Sequence, residues 1–174
     1  SATPYVTNYY GKDWAFCLPY NIYKKLPDCN YQVEIKAENK KGYMDIGQVF
    51  FKGKSRKEFI FTSNICHPQM ANNELSGPIV QTLLIKDLKK LFRFKTNYYS
   101  YRFLFLPETI GSIAYIHKNI NQLKKNCIGG FVLTCLGKNK KFKIIDTPIQ
   151  NNYSIKLLKS ALQLNKFEFD LVSF

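Results

Sequence analysis

From Lys57 onward the chain alternates short apolar runs with longer stretches of helical period. Phe59-Ile60-Phe61 is a compact apolar run flanked by charge before it and by a polar loop, Ser63 to Glu74, after it. Such a run reads as a strand buried on both faces. Leu75 to Phe94 then repeats apolar residues at helical spacing: Leu75, Ile79, Leu83 and Leu84, continued by Leu88, Leu91 and Phe92. Lys86, Asp87, Lys89 and Lys90 fall on the opposite side, as an amphipathic helix requires. Tyr101–Leu106 is a second buried strand, Thr109–Lys125 a second helix with Ile113, Ile116 and Ile120 on one face, and Ile128–Leu136 a third strand. Lys141–Ile145 reads as a fourth strand, Tyr153–Leu164 as a helix and Phe167–Val172 as the start of another strand. Buried strands alternating with helices predict a largely parallel sheet covered by helices.

The first third has a different texture. Trp14–Leu18 is a short apolar run, and Pro19–Leu26 has room for a brief helix before the Pro27-Asp28 turn. Tyr31, Val33, Ile35 and Ala37 alternate with Gln32, Glu34 and Lys36, the period-2 signature of a strand with one wet face. Asn39–Gly42 reads as a turn and Tyr43–Phe51 as a second strand, so a hairpin is expected, followed by a polar connector over Gly53–Arg56. The predicted organisation is a small β-rich module over residues 1–56 and an α/β domain over 57–174. Internal repeats are absent.

Composition narrows the picture. The 174 residues are 45% hydrophobic and 16% aromatic, enough for a real core. No apolar run approaches the roughly 20 residues a bilayer-spanning helix needs, and Ser1-Ala2-Thr3-Pro4 lacks the layout of a secretion signal. The missing initiator Met is read as a start in mid-protein. Five cysteines in no C-x-x-C arrangement argue against a disulfide framework and a cysteine zinc site, and a reducing, cytoplasmic setting fits best. Cys127 and Cys135 lie in an apolar stretch and read as small core residues.

The net charge of +14 raises the question of nucleic acid. Nearly all of it is Lys, scattered along the chain; Arg56, Arg93 and Arg102 are the only arginines. The planar guanidinium fork is what reads phosphates and bases. A Lys-rich nucleic-acid module therefore ranks below a solvated surface. Only feeble, sequence-independent attraction to DNA or RNA is expected, fading steeply with added salt. Tight, sequence-selective binding at physiological ionic strength in a titration would reverse that ranking.

In open α/β sheets, ligands bind beyond the carboxyl ends of the strands. Two loops leave buried strands there: Asn64 to Pro78 after the first, and Pro107-Glu108-Thr109-Ile110-Gly111-Ser112 after the second. His67 in one and Glu108 in the other are an imidazole and a carboxylate placed to converge on a metal, and both are good zinc ligands. A Glu beside the metal's water can instead take its proton. Spacing alone leaves open that His67 is a surface hydrogen-bonding residue and Glu108 a dipole-favouring helix cap.

The loops themselves are more specific. Cys66-His67-Pro68, followed by Met70-Ala71-Asn72-Asn73-Glu74-Leu75-Ser76-Gly77-Pro78, resembles an aminopeptidase-like family found among bacterial polysaccharide-biosynthesis proteins, within the zinc-aminopeptidase superfamily. Tyr5 to Tyr10, Trp14 to Pro19, Pro107 to Tyr115 and, more weakly, Gly130 to Cys135 carry the same likeness, which runs from about Tyr5 to Gly137. The resemblance implies a three-layer α/β/α phosphorylase/hydrolase-like (zinc-exopeptidase) fold with residues before Lys57 in a β-rich insertion. It implies a zinc-dependent hydrolase acting on a peptide or amide bond, with His67 as the first metal ligand and Glu108 in the carboxylate pair that supplies general base and ligand.

Two departures accompany the resemblance. The second carboxylate position holds Thr109, and the metal-bridging Asp falls on Asn72, a neutral amide, which implies one zinc rather than two. The stretches that carry an Asp and a final His in the family would lie beyond Phe174, so the α/β domain is expected to be cut short. His117 falls inside the Thr109–Lys125 helix and reads as an ordinary helical residue. Acidic residues usual after the Cys-x-Gly are replaced by Lys138, Asn139 and Lys140. Two good ligands are one short of the usual complement, so weak zinc binding and no measurable peptidase activity are expected of these residues alone. If the loops share one sheet edge, the polar atoms of His67 and Glu108 are expected within about 8 Å, with Asn72 on the same rim. The alternative is a non-catalytic descendant that binds a sugar-nucleotide intermediate or a partner protein.

Overall fold

A computed structural model of the chain describes residues 17–34, 36, 38, 40–66, 71–137, 141–149 and 152–173. The chain divides into two compact units, Ser1–Lys41 and Gly42–Phe174. In the described part of the first unit a single helical turn, α1 (Tyr20–Tyr23), starts directly after Pro19, whose carbonyl accepts from the Ile22 and Tyr23 amides. Lys24 Nζ lies 4.7 Å from the centroid of the Tyr20 ring. The described residues of the alternating segment after Asn30, 31–34 and 36, lie in no strand and are exposed. Most of Trp14–Leu18 lies outside the described residues.

The expected hairpin is therefore corrected. Of the predicted second strand only β1 (Gly47–Phe51) forms, and it pairs antiparallel with β3 (Ser100–Leu106). Val49 faces Phe103 and Phe51 faces Tyr101, so aromatic and β-branched neighbours draw β1 onto the main sheet. The compact division accordingly falls between Lys41 and Gly42, ahead of the composition change at Lys57.

The core of the second unit is a four-stranded sheet in the order β1-β3-β2-β4, with β2 (Glu58–Asn64) between β3 and β4 (Cys127–Leu133). β3, β2 and β4 run parallel, as their continuous apolar character predicts. Helix α2 (Ser76–Leu91) carries the chain from β2 to β3, and α3 (Ile110–Asn126) from β3 to β4. Strand parity separates the two faces. Phe59, Phe61, Tyr101, Phe103 and Phe131 form one face, with Phe61 stacked between Phe103 and Phe131 at 5.0 and 5.1 Å. Phe92, just past α2, stacks on Tyr101, and Tyr153 of α4 (Tyr153–Leu164) stacks on Phe59. The opposite face centres on Ile60, Leu104 and Leu106, against which Tyr115 and Leu123 of α3 pack. Helices thus lie on both faces of a mixed α/β sheet.

Both crossover helices turn part of their predicted apolar stripe away from the sheet. On α2 the buried residues are Gly77 and Gln81 and, of the predicted stripe, Leu84 and Leu88 are half-buried, while Ile79 and Leu83, and Leu75 just before the helix, are exposed. On α3 the buried residue is Gly111, while Ile113, Ile116 and Ile120 are exposed. The physical reason is close approach: an added Cβ at Gly77 would lie 2.1 Å from the Leu133 carbonyl oxygen, and Gln81 Nε2 donates to the Leu104 carbonyl at 2.9 Å. A small residue and a reaching amide place α2 nearer the sheet than a leucine row would.

β5 (Phe142–Ile145) does not extend the main sheet. It pairs in parallel with β6 (Phe169–Val172) in a separate two-stranded sheet, joined through α4. Asn152 caps α4 by accepting from the Ser154 amide. Cys127 is half-buried as expected, but Cys135 is exposed at the end of β4, with a positive φ of 54°, so it is a turn residue and not a core one. Among the described residues no helix is long and apolar enough to cross a membrane.

Candidate functional site

The parallel register decides where the two predicted loops emerge. Asn64, the last residue of β2, is paired with Leu106, the last of β3, and Ser63 is paired with Leu133, the last of β4. Ile65 continues the ladder by donating to the Leu106 carbonyl at 3.0 Å. The loops after β2, β3 and β4 therefore leave one edge of the sheet side by side, with the β2 loop in the middle. That is the carboxyl edge at which ligands bind in such sheets.

Glu108 sits two residues beyond β3 and is exposed. Thr109 after it has φ 59° and ψ −68°, and the Ile110 amide donates to the Glu108 carbonyl at 2.6 Å. This is a γ-turn of the rare positive-φ kind, at a β-branched residue that pays a steric penalty to adopt it. Gly111 then donates to the Pro107 carbonyl, and α3 begins without a side-chain cap. Two consecutive tight bonds hold the Glu108 backbone at the lip of the sheet. Strain of this kind collects at functional sites.

The middle loop divides in two. His67, Pro68, Gln69 and Met70 lie outside the described residues, and with them the expected separation of His67 from Glu108. Ala71–Leu75 forms a π-helical turn that runs directly into α2; such turns are rare and frequent at functional sites. Side chains clamp it to the loop after β4. Asn72 Oδ1 accepts from the Gly137 amide at 2.8 Å, Asn73 Oδ1 accepts from Thr134 Oγ1 at 2.6 Å, and Ser76 Oγ accepts from the Leu136 amide at 2.8 Å. Ser76 Oγ also donates to the Asn72 carbonyl, closing the turn. Asn72 and Asn73 are thus occupied in joining two loops; neither caps α2, whose N-terminal residue makes no side-chain cap bond.

Glu74 is a residue to which the sequence alone assigned no role in the chemistry. It is 8% exposed, and neither of its carboxylate oxygens has a hydrogen-bond partner. A signal existed: Glu74, Gly77 and Gln81 are spaced i, i+3, i+7, one stripe of a helix, and all three are buried. His117 is an exposed residue of α3. Among the described residues no group of three or more His, Cys, Asp or Glu side chains could hold a metal ion.

Known proteins resemble this chain in sequence and in fold. A Clostridium acetobutylicum protein provisionally named a polysaccharide biosynthesis protein with an aminopeptidase-like domain is 42% identical over 134 residues, 77% of this chain and 30% of its own length. The crystal structure of a C. acetobutylicum protein provisionally named a peptidase superposes with a TM-score of 0.75 at 34% identity, over 99% of this chain and 40% of that one. This chain therefore spans well under half the length of either relative. Residues 12–174, which include both loops and the clamp between them, match the family described as Domain of unknown function (DUF4910), and the chain belongs to that family.

Proposed function

We propose that this chain carries part of a zinc-dependent, aminopeptidase-like hydrolase of peptide or amide bonds, linked to cell-surface polysaccharide biosynthesis and built on a three-layer α/β/α zinc-exopeptidase fold. The observation that carries the reading is the shared edge: the Cys66–His67 loop and the Glu108 turn leave adjacent parallel strands at the same end. The names of the two relatives support an aminopeptidase-like activity and the link to polysaccharides. The residue types fit a zinc ion, because an imidazole and a carboxylate, both good zinc ligands, belong to neighbouring loops of that edge.

A zinc ion supplies Lewis acidity, polarising a carbonyl and making water easier to deprotonate at neutral pH. The chain's own contributions are separable. His67 holds the metal as a neutral imidazole donor. Glu108, exposed at a tight turn, would take the proton of the attacking water and pass it to the leaving amine. The clamp from Asn72, Asn73 and Ser76 to residues 134–137 keeps the middle loop in position. With Asn72 so occupied and Thr109 at the second carboxylate position, one ion is proposed rather than two.

In the intact protein, His67→Ala is expected to abolish bound zinc, measured by atomic absorption on purified samples. Glu108→Gln is expected to keep the metal while lowering amide hydrolysis by about 10²–10⁴-fold, the usual worth of a general base. Unchanged metal content in the His67 variant would remove the metal reading. The neutral residues at Asn72 and Thr109 favour a second reading, a non-catalytic binding domain of the same fold. Zinc retained with no hydrolysis of any aminoacyl amide by the unsubstituted protein would select it.

A further inference from the structure

We infer that the amino edge of the main sheet, at the other end of the strands from the candidate site, is a docking surface for an anionic lipid membrane. The lysines scatter along the sequence but gather in space. Register puts the starts of β2, β3 and β4 side by side, with Glu58 paired to both Ser100 and Cys127. The end of β1 joins them, because antiparallel Phe51 pairs with Tyr101. Three stretches therefore meet at this edge: 52–57 between β1 and β2, 92–99 between α2 and β3, and the last turn of α3 before β4. Hydrogen bonds stitch them together. The Lys54 and Ser55 amides donate to the Asn97 and Tyr98 carbonyls at 3.1 and 2.8 Å, and the Ser100 amide donates to the Lys57 carbonyl at 2.9 Å. Lys57 Nζ reaches the Lys125 carbonyl at 2.8 Å. Gly53 makes the close approach possible, since an added Cβ would lie 2.4 Å from the Tyr99 carbonyl oxygen.

Charge comes second. The first stretch carries Lys52, Lys54, Arg56 and Lys57, and the second adds Arg93 and Lys95. Lys124 and Lys125 complete the edge, where they also suit the C-terminal end of the α3 dipole. That role cannot explain the cations of 52–57, which follow a strand. All eight are exposed, no Asp or Glu lies in the three stretches, and none of the eight has an ion-pair partner among the described residues. Apolar rings stand among these charges: Phe94, between Arg93 and Lys95, is 89% exposed, and Tyr98 is 64% exposed. A field of one sign attracts a polyanion. A phenyl ring flanked by long cationic side chains suits the boundary of a bilayer, with the ring among the acyl chains and the charges at the phosphates. Single-stranded nucleic acid also calls for charge with rings, but six of the eight cations are Lys, which lacks the planar fork that reads phosphates and bases. No membrane-crossing helix is needed, because the surface lies on the headgroups. The seven-residue strands β2 and β3 hold this edge about 20 Å from the loops of the candidate site, which docking leaves on the far side from the bilayer.

The test is flotation of this protein with increasing amounts of vesicles, made of phosphatidylcholine alone or of equimolar phosphatidylcholine and phosphatidylglycerol, at physiological ionic strength. Binding is expected to the anionic vesicles only. The triple variant Lys54→Gln, Arg56→Gln, Lys95→Gln should weaken it by about a hundredfold, since each basic residue near such a surface contributes about fivefold. The triple variant Lys118→Gln, Lys143→Gln, Lys156→Gln removes the same charge from exposed positions outside the edge. It should weaken binding by less than about tenfold, because distant exposed charges are largely screened. Phe94→Ser should weaken binding by about tenfold through loss of the inserted ring. All these positions are exposed, so each variant should keep the urea midpoint of the unsubstituted protein. No binding to the anionic vesicles, or equal losses in the two triple variants, overturns the inference. So does an unaffected Phe94→Ser variant, which would leave charge as the whole attraction. Tighter binding to a single-stranded oligothymidylate than to the anionic vesicles, lost in the first triple variant, also overturns it and makes the edge a nucleic-acid surface.

Discussion

Replacing Arg102 with methionine is expected to destabilise the protein by about 3–5 kcal/mol, the cost of stranding a buried charge. Arg102 Nε and Nη2 both reach Glu58 Oε2, at 2.9 and 2.8 Å, and the two side chains are 9% and 2% exposed. The pair lies on the face covered by α3, where Tyr115 packs; burial pushes the Tyr115 hydroxyl above its ordinary pKa, only partly offset by the Arg102 charge. The guanidinium also lies over the Phe50 ring of β1, 4.5 Å from its centroid, so the arginine ties three strands together. Glu58 already has one oxygen, Oε1, without a partner; removing Arg102 would leave the whole carboxylate unpaired. The double variant Glu58→Met with Arg102→Met should recover most of the loss, because apolar replacements of buried pairs are often neutral or stabilising. Urea unfolding of both single variants and the double closes the cycle. A loss under about 1 kcal/mol for Arg102→Met would show that water reaches the pair.

The elements that were legible from the sequence are those whose stability is decided locally. Phe59–Phe61 and Phe103–Leu106 are apolar on both faces and had to be interior strands, and Tyr153–Leu164 forms as read. The failures share another cause: they depend on what a segment meets elsewhere in the chain. Residues 31–37 alternate well enough for a strand, but no partner pairs with their described part, and β1 finds its neighbour some fifty residues downstream at β3. Hydropathy ranks Ile79 and Leu83 above Gly77 and Gln81, yet the closest approach to the sheet selects the small residue and the amide that can satisfy a strand carbonyl.

The same distinction applies to the site. Both loops could be located, because polar stretches after buried strands of a parallel sheet must lie at its carboxyl edge. The roles within them could not be read from residue type. Asn72, which falls where a bridging carboxylate would be, spends its side chain on the Gly137 amide, and Glu74, two residues on, is the acid left buried without a donor. Which of four neighbouring polar residues faces the interior is set by where α2 touches the sheet. That contact is made by Gly77.

Gly77→Ala is accordingly expected to cost about 3 kcal/mol, at the upper end for overpacking. On helix propensity alone the change should stabilise by about 1 kcal/mol. The added methyl, however, would sit 2.1 Å from the Leu133 carbonyl oxygen, 3.0 Å from its carbon and 3.3 Å from Ser63 Cβ. The two nearest of these atoms are strand backbone, which cannot rotate aside, so the start of α2 must lift from the sheet. Lifting it pulls Ser76 Oγ from the Leu136 amide and Asn72 Oδ1 from the Gly137 amide, the bonds that hold the π-helical turn in place. Two readouts follow: a lower urea midpoint, and faster hydrogen exchange at Leu136 and Gly137 relative to β3 amides. Gly130→Ala in β4 is the control, since its methyl would have only the Ile60 carbonyl oxygen near it, at 3.8 Å, and should be tolerated. Equal stability of the two alanine variants would mean that α2 does not rest on Gly77.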